Sequence, residues 1–111
     1  MEKYIEYTKI FKALSDPKRV MIVDMLSYGE LCACMILEKF DLSQSTLSHH
    51  MKLLCECGLI KGREQGKWTY YSLDTDMVNK TKQFFHEITS YKKNCCYKNN
   101  ADRCKGCDES E

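Results

Sequence analysis

Residues 43–54 read SQSTLSHHMKLL, and the placement of this stretch decides the fold. Ser43 follows the turn residues Asp41 and Leu42 and is a good helix N-cap, because its hydroxyl can accept one of the unpaired N–H groups of a first helical turn. A helix over 44–57 advances ~100° per residue. Leu47, Met51, Leu54 and Gly58 then fall on one side, and Ser45, Ser48, His49, Lys52 and Glu56 on the other. His50 lies nearer the buried edge, which leaves it open between packing and a polar contact. The outer face gathers hydroxyls, an amide and an imidazole near the helix start. Such groups bond to phosphates and base edges when a helix N-terminus enters a major groove.

The flanking segments complete the pattern. Tyr4, Tyr7, Ile10, Phe11 and Leu14 recur at helical spacing over 3–14. Ser15 and Asp16 precede Pro17, the only proline, which reads as a helix stop followed by a new N-cap. A second helix over 17–28 turns Val20, Ile22, Val23, Met25 and Leu26 mostly inward, and Gly29 ends it. A short third helix over 30–39 and the tight turn at Asp41–Ser43 make the quoted stretch the second arm of a helix-turn-helix. Two β-prone segments, 59–63 and 67–73, flank the tip Glu64-Gln65-Gly66 and predict a hairpin. With Lys61, Arg63, Lys67, Trp68 and Tyr70 it reads as a basic wing lying along a DNA backbone or minor groove. Asp74 caps a last helix over 75–93, striped by Met77, Thr81, Phe84, Ile88 and Tyr91, with Val78 and Phe85 beside them. That stripe, with the aromatic first helix, exceeds what so small a core needs, so the first and last helices are expected to pair with a second copy. The predicted fold is mostly α with a β-hairpin wing: a five-helix winged helix-turn-helix with a homodimer interface on its first and last helices.

The bulk numbers fit one soluble domain: 111 residues, 43% hydrophobic and 30% charged. The net charge of +1 excludes a global basic field, so DNA binding must rest on a local patch or on two patches joined by dimerisation. No apolar run approaches the ~20 residues of a membrane span, and the N-terminal stretch lacks the apolar core of a signal peptide. A cytoplasmic protein is expected, without a membrane partner. No nucleophile, base and orienter converge, so no enzyme is expected.

Cysteine is the anomaly. Eight occur in four close pairs: Cys32 and Cys34, Cys55 and Cys57, Cys95 and Cys96, Cys104 and Cys107. In a cytosolic chain clustered thiols point to metal binding or redox chemistry, and paired thiolates select soft ions. Cys32 and Cys34, placed in the first turn of the third helix, gain acidity from its unpaired N–H groups. Two residues apart on a helix they point ~200° away from each other, so the helix must fray for both to hold one ion. Cys55 and Cys57 share that geometry and read as structural. The division expected is 1–94 for the DNA-binding and dimerisation domain and 95–111 for a cysteine-rich tail.

ELCAC, LSQSTLSHHMKLLCECGLI and REQGKWTYYSL, in this order and spacing, resemble the ArsR/SmtB family of metal-responsive winged-helix repressors over about residues 5–92. The resemblance implies a homodimer that binds double-stranded operator DNA and leaves it when a toxic metal binds. By position it implies Gln44, Ser45, Thr46, Ser48 and His49 as DNA contacts, to which Lys52, Lys61, Arg63 and Lys67 add charge. ELCAC matches a box of arsenite/antimonite and cadmium/lead sensors. The third cysteine that often follows in the arsenic sensors is here Leu37, and the N-terminal thiols of the cadmium/lead sensors are missing. Some members of the family keep their site after the last helix, as Cys95, Cys96 and Cys104 would; Cys107 would make a fourth thiol, enough for zinc or cadmium. With a single histidine, His86, on the last helix, no carboxylate–histidine zinc site is expected there. The function expected is a repressor released by trivalent arsenic or antimony through cysteine thiolates. A cadmium/lead sensor and a thiol redox switch on the same fold are the alternatives.

Overall fold

Ser43 does cap a helix: its Oγ accepts the Thr46 N–H at 3.1 Å. The computed structural model describes residues 1–92. In chain order the elements are α1 (Glu2–Ala13), α2 (Pro17–Leu26), β1 (Leu31–Cys32), α3 (Ala33–Lys39), α4 (Gln44–Glu56), β2 (Ile60–Gln65), β3 (Trp68–Leu73) and α5 (Thr75–Thr89). Asp16 caps α2 through the Lys18 N–H at 2.7 Å, with Pro17 in the first turn. That hydrogen bond to the ionised form holds the Asp16 carboxyl below its ordinary range. Asp74 caps α5 through the Met77 N–H.

Three expectations need correction. The third helix does not begin at residue 30. Leu31 and Cys32 instead form a short strand paired antiparallel with Tyr71 and Tyr70, so the wing belongs to a three-stranded sheet of order β1-β3-β2. Pairing to the open edge of β3 wins over starting the helix early, and α3 is only seven residues long. The hairpin tip lies one residue later than expected. Gln65 still pairs with Trp68, and the turn is Gly66-Lys67, with Gly66 at φ +64°, a conformation that suits glycine. The last helix ends at Thr89 and not near 93. There the Thr89 and Ser90 hydroxyls bond back to the Phe85 and His86 carbonyls, and the Lys92 ammonium donates to the Glu87 and Ser90 carbonyls. Tyr91 is therefore off the helical stripe.

The core is built from one face of each helix. Ile10, Ile22, Ile36, Met51 and Leu54 are fully buried, joined by Leu26, Leu47, Leu59 and Ile60. Burying each such side chain is worth ~1.5–3 kcal/mol, so the inner face of α4 is held firmly while its outer face stays free. Val20 departs from the inward pattern of α2 and is exposed. α5 returns to α1 through aromatic rings: Tyr7 stacks on Phe84 with centroids 4.3 Å apart, and Tyr4 meets Phe84 edge-on at 6.1 Å. Beside this seam Tyr4, Ile5, Phe85 and Ile88 remain exposed. Among the described residues no helix is long and apolar enough to cross a membrane.

Candidate nucleic-acid interface and thiol pair

The outward face of α4 carries what its sequence promised. Gln44, Ser45, Thr46, Ser48, His49 and Lys52 are all exposed, while Leu47, Met51 and Leu54 point into the core. Part of the hydroxyl set is already engaged in the cap: Ser43 Oγ donates to Thr46 Oγ1 at 2.9 Å and lies 3.3 Å from Ser45 Oγ. The helix start is thus capped as well as polar.

His50 settles on the buried side, only 7% exposed. Its Nδ1 lies 3.1 Å from Arg19 Nη1. A guanidinium can only donate, so Nδ1 must accept and the imidazole is neutral. Burial, ahead of the nearby Arg19 charge, pushes its pKa down in agreement. Arg19 also donates from Nε to the Ala13 carbonyl at 2.6 Å, so this one side chain ties the end of α1 to α2 and α4. Sequence reasoning passed over Arg19, because nothing in its local pattern shows that partner.

The wing cations divide into two kinds. Lys61 and Lys67 are exposed on β2 and the turn. Arg63, though exposed, is bonded to neighbours within the protein. Its Nε and Nη2 donate to the two carboxylate oxygens of Glu30, each at 2.9 Å, and its Nη1 donates to Gln65 Oε1 at 2.6 Å. Its guanidinium also lies over the Tyr70 ring, 4.7 Å from the centroid. The Arg63 hydrogen bonds hold the Glu30 carboxyl below its ordinary range. Glu30 was also missed, since no local pattern links it to an arginine 33 residues later.

Cys32 and Cys34 come together, by a route the helical wheel excluded. Cys32 ends β1 on extended backbone (φ −83°, ψ 159°), and only Cys34 is inside α3. The wheel rule does not apply across that boundary, so the sulfurs meet without any fraying. In the structure they are joined as a disulfide, with Cα atoms 5.4 Å apart. Cys32 is buried and Cys34 exposed, so the pair is reached from one side. As a donor set it offers two soft sulfurs, suited to thiophilic ions. Among the described residues no group of three or more histidines, cysteines and acids is placed to hold a metal ion. Cys95, Cys96, Cys104 and Cys107 lie outside the described residues.

Cys55 and Cys57 are half-buried. Burial pushes both thiols up, and Cys57 Sγ donates to the Leu54 carbonyl at 3.2 Å. Neither is placed to act as a ready thiolate.

Comparison with known proteins agrees with this architecture. Residues 16–61 match the model of the bacterial regulatory protein, arsR family. The chain is 44% identical over 96 residues to an arsenical resistance operon repressor of Staphylococcus xylosus, covering 86% of this chain and 92% of that one. It is 44% identical over 86 residues to a cadmium resistance transcriptional regulatory protein CadC homolog of Staphylococcus aureus, covering 75% and 71%. An ArsR-like transcriptional regulator from Rhodococcus superposes with a TM-score of 0.71 at 26% identity, over 79% of this chain and 83% of that one. These relatives are regulators and not enzymes, and the α2–α4 unit with its hairpin is their winged helix-turn-helix. The chain belongs to the ArsR family of bacterial regulatory proteins.

Proposed function

We propose that this protein is a cytoplasmic, homodimeric repressor that binds operator DNA and is released when trivalent arsenic or antimony binds Cys32 and Cys34. The observation that carries this is the meeting of those two sulfurs at the β1–α3 junction, one element before the DNA-reading helix. Gln44, Ser45, Thr46, Ser48, His49 and Lys52 face the major groove, and Lys61 and Lys67 hold phosphates. Arg63, held by Glu30 and Gln65, braces the wing instead. The exposed Tyr4, Ile5, Phe85 and Ile88 on α1 and α5 support dimerisation through those helices. Residues 1–94 form the DNA-binding and dimerisation domain. Residues 95–111 form a tail whose Cys95, Cys96, Cys104 and Cys107 can add sulfur ligands.

With arsenous acid the exchange is balanced and involves no oxidation. Two As–S bonds form and two As–O bonds break, the two thiol protons leave with the hydroxyls as two waters, and arsenic stays trivalent. The arsenic bridge constrains the β1–α3 junction and so shifts α3 and the reading helix that it supports. DNA must weaken arsenic binding by the same factor.

The test titrates reduced protein on its operator with arsenite, antimonite, cadmium and lead. Arsenite or antimonite is expected to release DNA, and C32S/C34S to bind DNA without release. Unchanged affinity with all four ions would sink the proposal. A response to cadmium or lead alone would favour the relatives' other metal class, and a response that survives in C32S/C34S would move the sensor to the tail.

The disulfide between Cys32 and Cys34 favours a second reading, a thiol redox switch. Peroxide would take two electrons and two protons from the pair and leave as two waters. Release by peroxide, reversed by dithiothreitol and absent with arsenite, would select it.

A further inference from the structure

The thiol pair is linked to the wing by ladder pairing and by side chains on one face of the sheet. Cys32 is the ladder partner of Tyr70, and Tyr70 is the ladder partner of Arg63. Directly opposed residues of antiparallel strands share a face, so Cys32, Tyr70 and Arg63 form a row across one face of the sheet. Leu31 and Tyr71, one residue along, face the opposite way, toward the core. Glu30 stands two residues before Cys32 and grips Arg63 with both carboxylate oxygens at 2.9 Å. Arg63 is meanwhile stacked on Tyr70. The ring Glu30–Arg63–Tyr70–Cys32 therefore runs from the sensor sulfur to the wing and back.

We propose that Glu30, Arg63 and Tyr70 are positioning residues that transmit the state of the Cys32–Cys34 pair to the wing, making the wing an output of sensing alongside the reading helix. The inference rests on the thiol-sensing function proposed above and adds a route to it. β1 has only two ladder residues, so the backbone alone attaches it weakly to β3. The Glu30–Arg63 fork is directional, since both of its hydrogen bonds must turn together. Any ligand spanning Cys32 and Cys34 constrains the backbone over 32–34. That reorients β1 and carries Glu30, and with it Arg63 of β2, whose end leads through the Gly66-Lys67 turn to Trp68 of β3. A one-point charge contact would slip; a bidentate grip stacked on an aromatic ring moves as a unit.

The chain supplies its own reporter, because Trp68, its only tryptophan, stands beside the wing turn. The experiment uses the full-length reduced protein and sodium arsenite as the probe. Three readings are taken: As–S absorbance, Trp68 emission and operator affinity with and without arsenite. In the natural protein all three should change together. In E30Q/R63Q, which removes the pair without changing net charge, As–S absorbance should still develop. Trp68 emission should no longer follow it, and the ratio of operator affinities should shrink by about ten-fold, within the usual range of coupling between sites. The swapped pair E30R/R63E should restore most of both responses. An undiminished ratio and Trp68 response in E30Q/R63Q would overturn the proposal. Loss that the swap does not restore would mark general damage to the sheet and overturn it as well. A full response in C32S/C34S would instead refute Cys32 and Cys34 as the sensing pair, and this inference with it.

Discussion

The salt dependence of operator binding should count three cations per protomer and not four. Lys52, Lys61 and Lys67 are exposed and, among the described residues, bonded to no side chain, whereas Arg63, also exposed, is held by Glu30 and Gln65. Each phosphate neutralised by a side chain releases counterions, giving a slope of log affinity against log salt of about −0.9 per contact. A dimer with six such contacts should show a slope near −5.4, and counting Arg63 would make it about −7.2. Between about 50 and 200 mM salt this separates a loss of roughly three decades of affinity from one of more than four. Fluorescence anisotropy of a labelled operator duplex resolves that difference. K67Q should flatten the slope by about 1.8, since two contacts go in a dimer. E30Q/R63Q should leave the slope unchanged, whatever it does to affinity at one salt concentration. A slope near −7 that falls by about 1.8 in E30Q/R63Q would show that Arg63 abandons Glu30 for a phosphate on DNA, and the bracing role would be refuted.

Three further outcomes follow from particular contacts. S43A should cost about 1 kcal/mol in urea unfolding, because the Thr46 N–H loses its acceptor. L54A should cost about 3–5 kcal/mol, since Leu54 is fully buried on the inner face of α4 and its removal leaves a cavity. A cost under about 1 kcal/mol would show that the core around the reading helix collapses easily. His50 should make stability fall on acidification. Its folded pKa lies below the unfolded value of about 6.5, so the unfolded chain binds the extra proton between the two values. Stability is then lost as pH drops below about 6.5 toward the folded value, by at most about 1.4 kcal/mol per pH unit. Arg19, His49 and Lys18 oppose the charged imidazole there and Asp16 favours it. Urea midpoints of the natural protein and H50Q should therefore diverge in that window and run parallel above it.

The helices were legible because their signals are local. The 3.6-residue recurrence of Leu47, Met51 and Leu54, the caps Ser43, Asp16 and Asp74, and the single Pro17 act within a few residues of themselves, so α4 and its polar face could be drawn before any packing was known. The same locality explains the misses. A strand of two residues, Leu31–Cys32, has no periodicity to detect and exists because β3 offers it an edge. Thr89 and Ser90 end α5 through their own backbone bonds, which a continuing apolar stripe conceals.

What the amino-acid sequence determined by itself is the winged helix-turn-helix and the supply of soft sulfur at its centre. Short-range sterics and burial period are enough to specify both. Only the tertiary structure decided how those sulfurs meet and what they touch. Cys32 left the helix for a strand because Tyr70 and Tyr71, nearly 40 positions on, provide its ladder. Arg63 turned from a free cation into a brace because Glu30, 33 residues earlier, is brought within 2.9 Å. Such pairings depend on closing long loops, and the closure is driven by the core between α1 and β2, so no window of sequence around either residue contains them.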